Sequence, residues 1–428
     1  MRILLLGSGG REHTFSWKMA QSPLITKLFI APGNAGTMQH GENINLQGSD
    51  FVGIRQFVKE NQVDLVLVGP EDPLVLGIHD YFLAHNDIKD IPVIGPCKQG
   101  AMLEGSKDFA KAFMQRNAIH TAAYQTFTKE TIADGFAFID TLQAPYVLKA
   151  DGLAAGKGVV ILNDAEETKA ELHRMLIDSK FGAASNKVVI EEFLKGIELS
   201  VFVVTDSISY KILPEAKDYK RIGEGDTGPN TGGMGTVSGV PFATADFMKK
   251  VEDRIIKPTI SGLKTDNIPY KGFIFIGLMN VEGNPYVIEY NVRMGDPETE
   301  SVLPRLKNDF VELLQAIGNN SLEDITIEID SKVTATVMLV SEGYPGAYQK
   351  GKVITGIDKV KGSIVFHAGT SLDAAGNTIT NGGRVLAVTS YGATLQEALN
   401  HSYANIEHIH FEGKSFRKDI GQDVITFK

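Results

Sequence analysis

"NPYVIEYNVRMGDPETES", residues 284–301, is an apolar strand that turns polar in strict alternation. Side chains of a strand alternate between its two faces, so Glu289 and Asn291 point the same way, and Arg293 joins them if the extended conformation persists. Two oxygen ligands side by side at a strand end suit Mg²⁺, which takes one or two protein ligands and completes its octahedron with phosphate oxygens and water. Arg293 would then place a cation where phosphoryl charge develops. Asp296 and Glu298, in the turn that follows, are placed to hold an ammonium group.

A metal strand of this kind needs a partner that holds phosphates. "DGLAAGKGVV", residues 151–160, offers one, but it is not a P-loop. Gly152 and Gly156 stand only four apart, and Gly158 follows Lys157 where a P-loop carries the Ser or Thr that binds magnesium. Lys149 ends the preceding apolar strand and Lys157 lies across the Gly/Ala loop, so small residues can lie against a polyphosphate while two lysines neutralise it. Such a hairpin is expected to act as a lid over the γ-phosphate. In "VVIEEFLKGIELS", residues 188–200, a strand runs into Glu191 and Glu192 and then reaches Glu198. A strand entering a hinge offers backbone groups to an adenine edge, and an acid one turn on can accept from ribose hydroxyls.

Whole-chain properties narrow the class. At 428 residues the chain exceeds one ordinary core, and about 150 residues per domain suggests roughly three. The net charge of −10 argues against a general nucleic-acid binder, which needs a basic surface. Cys97, the only cysteine, cannot form an internal disulfide and fits a reducing cytoplasm. No apolar run approaches the roughly 18 residues of a bilayer span. "MRILLLGSGG" reaches glycine too early for a secretory signal and reads as a first buried strand.

The expected fold class is α/β and α+β, in several domains. Residues 1–104 carry four apolar runs ending in Gly, Pro or Asn, with helices around 49–61 and 74–86, which predicts a doubly wound parallel sheet. The first turn, "GSGGREH", has Glu12 where a dinucleotide fingerprint needs its third glycine, which argues against NAD. Its helix N-terminus at Gly9 and Gly10 still suits a phosphate. Residues 105–325 follow, opened by a helix with Ser106 as cap and including a small α+β unit at 122–190. The glycine-dense stretch 223–239 reads as a long loop, of the kind that is functional or disordered. Residues 326–428 read as an antiparallel, β-rich domain closed by one helix.

Taken together, these residues resemble the ATP-grasp superfamily, and more closely the phosphoribosylamine–glycine ligase family. "GGREH", "APGNAGT", "VGPEDPL", "LEGSKDFAK", "KADGLAAGKGV", "DTGPNTGGMG", "RMGDPETE" and "GGRVLAVT" resemble that family's motifs in order, over nearly the whole chain. The resemblance implies an ATP-grasp fold and an ADP-forming ligation of glycine to 5-phosphoribosylamine through a glycyl phosphate, the second step of purine synthesis. It implies ATP contacts from Lys107, Lys149 and Lys157, with Glu191 at the adenine and Glu198 on the ribose. It further implies Mg²⁺ or Mn²⁺ on Glu289 and Asn291, with Arg293 and Lys157 acting on the transferring group. Gly9, Gly10, Asn34, Asp218, Asn230, Gly232, Arg293, Gly295 and Asp296 would face the ribosylamine and glycine. Ser8 and Tyr219 depart from the family pattern on that substrate side. The family also includes longer multifunctional chains, and this length predicts a single activity; the resemblance implies small-molecule substrates and no obligate protein partner, and the lone cysteine and the lack of a signal or span lead to the expectation of a cytoplasmic address. The alternative is another ATP-grasp carboxylate–amine ligase of nucleotide metabolism.

Overall fold

The computed structural model describes residues 1–153 and 158–427. Its first sheet is parallel, in the order β3-β2-β1-β4-β5, from β1 (Arg2–Gly7), β2 (Lys27–Pro32), β3 (Glu42–Asn43), β4 (Leu65–Val68) and β5 (Val93–Ile94). Leu4 and Leu6 pack into one hydrophobic cluster while Ile3 and Leu5 pack into another, which explains an apolar run without alternation. The order reverses beside β1, so the crevice lies at the carboxyl ends of β1 and β4. The fifth strand, β3, is two residues long, too short to leave a periodic signal. Helices α1 (Gly10–Met19) and α2 (Phe51–Glu60) follow the expected pattern. The helix expected at 74–86 is instead two, α3 (Glu71–Leu76) and α4 (Ile78–Leu83), broken where Gly77 takes φ of +95°.

Two helices, α5 (Lys98–Gly105) and α6 (Lys107–Arg116), lead into the middle of the chain, and the Ser106 hydroxyl accepts from the Phe109 N–H at 3.1 Å as the cap of α6. A four-stranded antiparallel sheet follows, ordered β6-β9-β7-β8, from β6 (Tyr124–Thr128), β7 (Tyr146–Ala150), β8 (Val159–Leu162) and β9 (Lys187–Glu192). With α7 (Ile132–Thr141) and α8 (Ala165–Leu176) it encloses a hydrophobic cluster of its own, centred on Phe127, Leu148, Leu172 and Ile190. A second antiparallel sheet, β11-β10-β16-β17, joins β10 (Ile197–Asp206), β11 (Tyr210–Ile212), β16 (Lys271–Val281) and β17 (Asn284–Asn291). β17 bulges at Ile288, because Gly277 pairs with Glu289 while Leu278 pairs with Val287.

The stretch 223–239, expected as a loop, is largely strand. β12 (Lys217–Asp218), β13 (Arg221–Gly223), β14 (Thr227–Asn230) and β15 (Gly235–Ser238) precede the helices α9 (Ala245–Val251) and α10 (Lys257–Thr265). β13 and β14 form a hairpin, and β12 and β15 extend a sheet whose other members are β18 (Val333–Ser341), β19 (Ser363–His367), β22 (Arg384–Gly392) and β23 (Lys414–Ser415). The short hairpin β20 (Thr370–Leu372) and β21 (Thr378–Thr380) stands apart. The sheet therefore joins strands from either side of residue 326. Helices α11 (Glu298–Arg305) and α12 (Phe310–Asn319) precede it, and α13 (Leu395–Ile406) packs on β22 and β18.

Candidate active site

Beyond the bulge, β17 returns to regular alternation, and Glu289 and Asn291 share a face opposite Gly277 and Phe275. Burial pushes the Glu289 carboxyl up, yet Lys220, Lys149, Lys107 and Arg293 outweigh it and hold it below the ordinary value. Asn291 is buried, and its amide Nδ2 has no hydrogen-bond partner. The amide orientation is assigned rather than observed, so turning it presents an oxygen at that position. A carboxylate and an orphaned amide on one face fit a divalent metal that draws its remaining ligands from phosphate and water. Among the described residues no group of three or more His, Cys, Asp or Glu side chains could hold a metal alone.

Lys149 ends β7 and donates to the Glu191 carboxylate at 3.0 Å and to the Ile288 carbonyl at 3.2 Å. Glu191 is buried and also pairs with Lys111 of α6 at 3.1 Å, so its carboxylate is engaged by two ammonium groups rather than turned to an adenine edge. Its backbone lies within the sheet, paired with Tyr124 and Val147, so what remains for that role is the hinge that follows it. Lys107, the first residue of α6, donates to the Gly152 carbonyl at 3.3 Å. Lys157 lies outside the described residues. Glu198, half-exposed at the start of β10, pairs with Lys220 at 3.1 Å.

Arg293 does not follow Glu289 and Asn291 along an extended strand, because β17 ends at Asn291. Its guanidinium turns to the first sheet's helices and pairs with Glu104 of α5 at 2.6 Å and Glu71 of α3 at 3.1 Å. The two acids respond differently. Burial pushes Glu104 up to about 7 despite Arg293, whereas Arg293 and Arg11 overcome burial at Glu71 and bring it to about 2. Glu104 also accepts the Val292 N–H at 2.8 Å, just past the end of β17.

Asp296 does not pair with Glu298 around an ammonium group. One carboxylate oxygen accepts the Arg11 N–H at the start of α1 (3.2 Å) and the other meets the Arg384 guanidinium at 2.8 Å. The Gly9 N–H donates to Glu12 at 2.6 Å, so with Arg11 two donors at the start of α1 are taken up by protein carboxylates. Gly10 is a packing residue: a Cβ there would stand 2.2 Å from Glu300 Oε1. Gly295 likewise leaves room for Glu298, 2.2 Å from its missing Cβ. Burial raises both the Asp218 and the Glu298 carboxyls, followed at Asp218 by the charge of Glu298, while Lys220 and Arg293 oppose it at Glu298. Gly232 donates its N–H to the Tyr344 hydroxyl at 3.0 Å and its carbonyl accepts Arg384, while Asn230 is exposed at the end of β14.

Asn34 corrects the expectation most clearly. Its amide donates to the Ser8 and His367 carbonyls at 2.9 and 2.8 Å and accepts from the Gly36 and Thr37 N–H groups, leaving nothing for a substrate. Tyr219 is buried, donating its hydroxyl to Asp423 at 2.6 Å. Sequence reading missed Lys111, Glu71, Glu104, Lys220 and Arg384. Lys111 carried a signal, since i,i+4 spacing from Lys107 puts both on one face of a helix.

This fold and site define an ATP-grasp protein. Family models described as the N domain, the ATP-grasp (A) domain and the C domain of phosphoribosylglycinamide synthetase match residues 1–104, 105–299 and 334–423. The chain belongs to the phosphoribosylglycinamide synthetase family. It is 44% identical over 426 residues to the phosphoribosylamine–glycine ligase of Escherichia coli K12, with 98% of each chain covered. It is also 44% identical to a bifunctional purine biosynthetic protein of Schizosaccharomyces pombe, of which it spans 54% while 99% of its own length is covered. The crystal structure of the Thermotoga maritima phosphoribosylamine–glycine ligase superposes with a TM-score of 0.84 at 36% identity, covering 98% of this chain and 100% of that one. No helix among the described residues is long and apolar enough to cross a membrane.

Proposed function

We propose that this chain joins glycine to 5-phosphoribosylamine with ATP, giving glycinamide ribonucleotide, ADP and phosphate, as the names of its relatives indicate. The observation that carries the reading is the setting of Glu289, beside the orphaned Asn291 amide and within the field of Lys107, Lys149, Lys220 and Arg293. Four cations around one carboxylate suit the charge of a triphosphate.

Lys107, Lys149 and Lys157 contact the phosphates, the backbone of the hinge that follows Glu191 meets the adenine edge, and Glu198 accepts from the ribose. Glu289 and Asn291 hold Mg²⁺ or Mn²⁺. Bound there, the metal neutralises phosphate charge and orients the transferring group. A glycine carboxylate oxygen attacks the γ-phosphorus and ADP leaves. The ribosylamine nitrogen then attacks the acyl carbon, phosphate departs and the nitrogen loses a proton. Asp218 and Glu298, whose carboxyls burial raises against the pull of Lys220, receive the glycine ammonium, whose charge would offset that burial. Arg293 steadies the developing phosphoryl charge, while Gly9, Gly10, Asn230, Gly232, Gly295 and Asp296 border the ribosylamine.

We take residues 1–104, 105–325 and 326–428 as the domains, with 122–190, which has its own core, closing over the nucleotide. Closure excludes water that would hydrolyse the acyl phosphate. A cytoplasmic address, small-molecule substrates and no obligate protein partner accord with this chemistry. The test is phosphate release from ATP with glycine and freshly made 5-phosphoribosylamine, each omitted in turn. Release that needs all three is expected, and release indifferent to glycine or to the ribosylamine would overturn the reading.

A further inference from the structure

Lys111 takes no part in the mechanism above, yet it is one of the most deeply buried cations of the chain, with its side chain 3% exposed. It projects from α6 into the seam where the 122–190 unit meets β17. Its ammonium donates to Thr121 Oγ1 at 2.7 Å and pairs with Glu191 at 3.1 Å, and Thr121 in turn donates to the Val287 carbonyl at 2.7 Å. On the other side of Glu191 stands Lys149, which also holds the Ile288 carbonyl. Lys111, Glu191 and Lys149 thus tie α6, β7 and β9 to the two residues that precede Glu289.

The arithmetic of this cluster matters more than its geometry alone. A buried lysine and a buried glutamate would form a neutral pair, and Lys149 would then bring no net charge to the phosphates. A second ammonium on the same carboxylate leaves these three groups with one net positive charge, which acts on Glu289 and on what Glu289 holds. Burying that extra cation is costly: burial outweighs Glu191 and draws Lys111 down to about 8. Packing alone does not require it, because an apolar side chain of similar length would fill the same seam.

We propose that Lys111 is a positioning residue of the nucleotide site: by sharing Glu191 it leaves Lys149 an uncompensated cation, aimed along the metal strand at the phosphate chain. The inference rests on the ATP-binding reading of this site, and its test separates the two. Equilibrium binding of ATP and of AMP to the full chain is measured with magnesium present, without glycine or ribosylamine. If wild type binds neither, the functional reading itself fails.

With wild-type binding in hand, Lys111→Met removes the excess charge and should weaken ATP about tenfold while changing AMP much less, because the lost charge acts on the outer phosphates. Lys111→Met/Glu191→Gln restores the cluster's net charge and should recover the ATP-to-AMP affinity ratio to within about threefold of wild type. A purely structural Lys111 predicts equal losses for both nucleotides and no recovery in the double variant, and either result would overturn the proposal. Should Lys111→Met fail to fold, Glu191→Gln alone decides. It raises the net charge, so an ATP-to-AMP ratio at or above wild type is expected, and a lower ratio refutes the role.

Discussion

Arg384 of β22 reaches Asp296, 88 residues earlier in the chain, with a guanidinium nitrogen 2.8 Å from the carboxylate and a second donating to the Asp296 carbonyl at 2.7 Å. The same guanidinium donates to the Gly232 carbonyl, so one side chain joins the C-terminal sheet, the β14–β15 connection and the turn before α11. Replacing it with Met leaves a buried carboxylate that Arg384 helped to hold below its ordinary value. Loss of one partner of a buried pair costs about 3–5 kcal/mol. Arg384→Met should lower the denaturant midpoint accordingly, and an unchanged midpoint would show that Arg11 alone suffices for Asp296.

Glu289→Gln keeps the shape of the side chain and removes the charge that Lys220, Lys149, Lys107 and Arg293 surround. Turnover at ordinary magnesium should fall by at least about a hundredfold, as expected when one of a metal's few protein ligands is weakened. The circular dichroism spectrum and melting temperature should stay near wild type. Near-normal turnover would remove Glu289 from the metal site.

Acid should loosen the contact between α1 and β19. His13 accepts the His367 backbone N–H at 2.6 Å through Nδ1, and its ring lies between those of His40 and His367, with centroids 5.2 and 5.3 Å away. Burial and the neighbouring imidazoles hold His13 well below its ordinary value of 6.5, and burial with His40 brings His367 to about 4. Below pH 6.5 the unfolded chain binds protons that the folded chain refuses, so stability falls as pH drops from about 6.5 to about 4. His13→Asn can still accept the N–H and should show a shallower fall in midpoint over that range; an equal slope would place the acid lability elsewhere.

Glu300 presents the opposite case. Both its oxygens are buried without a partner, and burial followed by Asp296 pushes the carboxyl well above the ordinary value. An acid raised in the folded state stabilises below its unfolded value, and that contribution is lost as pH rises through the folded value. Glu300→Gln should therefore be more stable than wild type at pH 8 and close to it at pH 4, read as melting temperature at each. A variant less stable at pH 8 would show that the carboxylate is needed as an anion.

The strands of the first sheet other than β3 were legible because they are buried on both faces and end at Gly or Pro, a pattern that needs no partner to recognise. Glu289 and Asn291 were legible for a related reason: alternation is a property of the strand itself. Arg293 was misplaced by the same logic, carried two residues past the point where the strand ends. The stretch 223–239 hid its strands because glycine has low strand propensity, and β15 lies between β12 and β18, the latter about a hundred residues later.

The partners of the charged residues were beyond sequence reading. That Lys149 lies at a strand end, and that Asp296 follows a glycine in a turn, is written locally. That Lys149 shares Glu191 with Lys111, and that Asp296 answers to Arg384 rather than to a substrate ammonium, depends on which elements the fold brings within 3 Å. Coulomb energy depends on distance and burial, neither of which is a function of position along the chain. The sequence by itself determined the strands, the turns and the chemical vocabulary of the site, because these follow from periodicity and side-chain type. Tertiary structure alone decided which charges are neutralised within the protein and which are left over for a ligand.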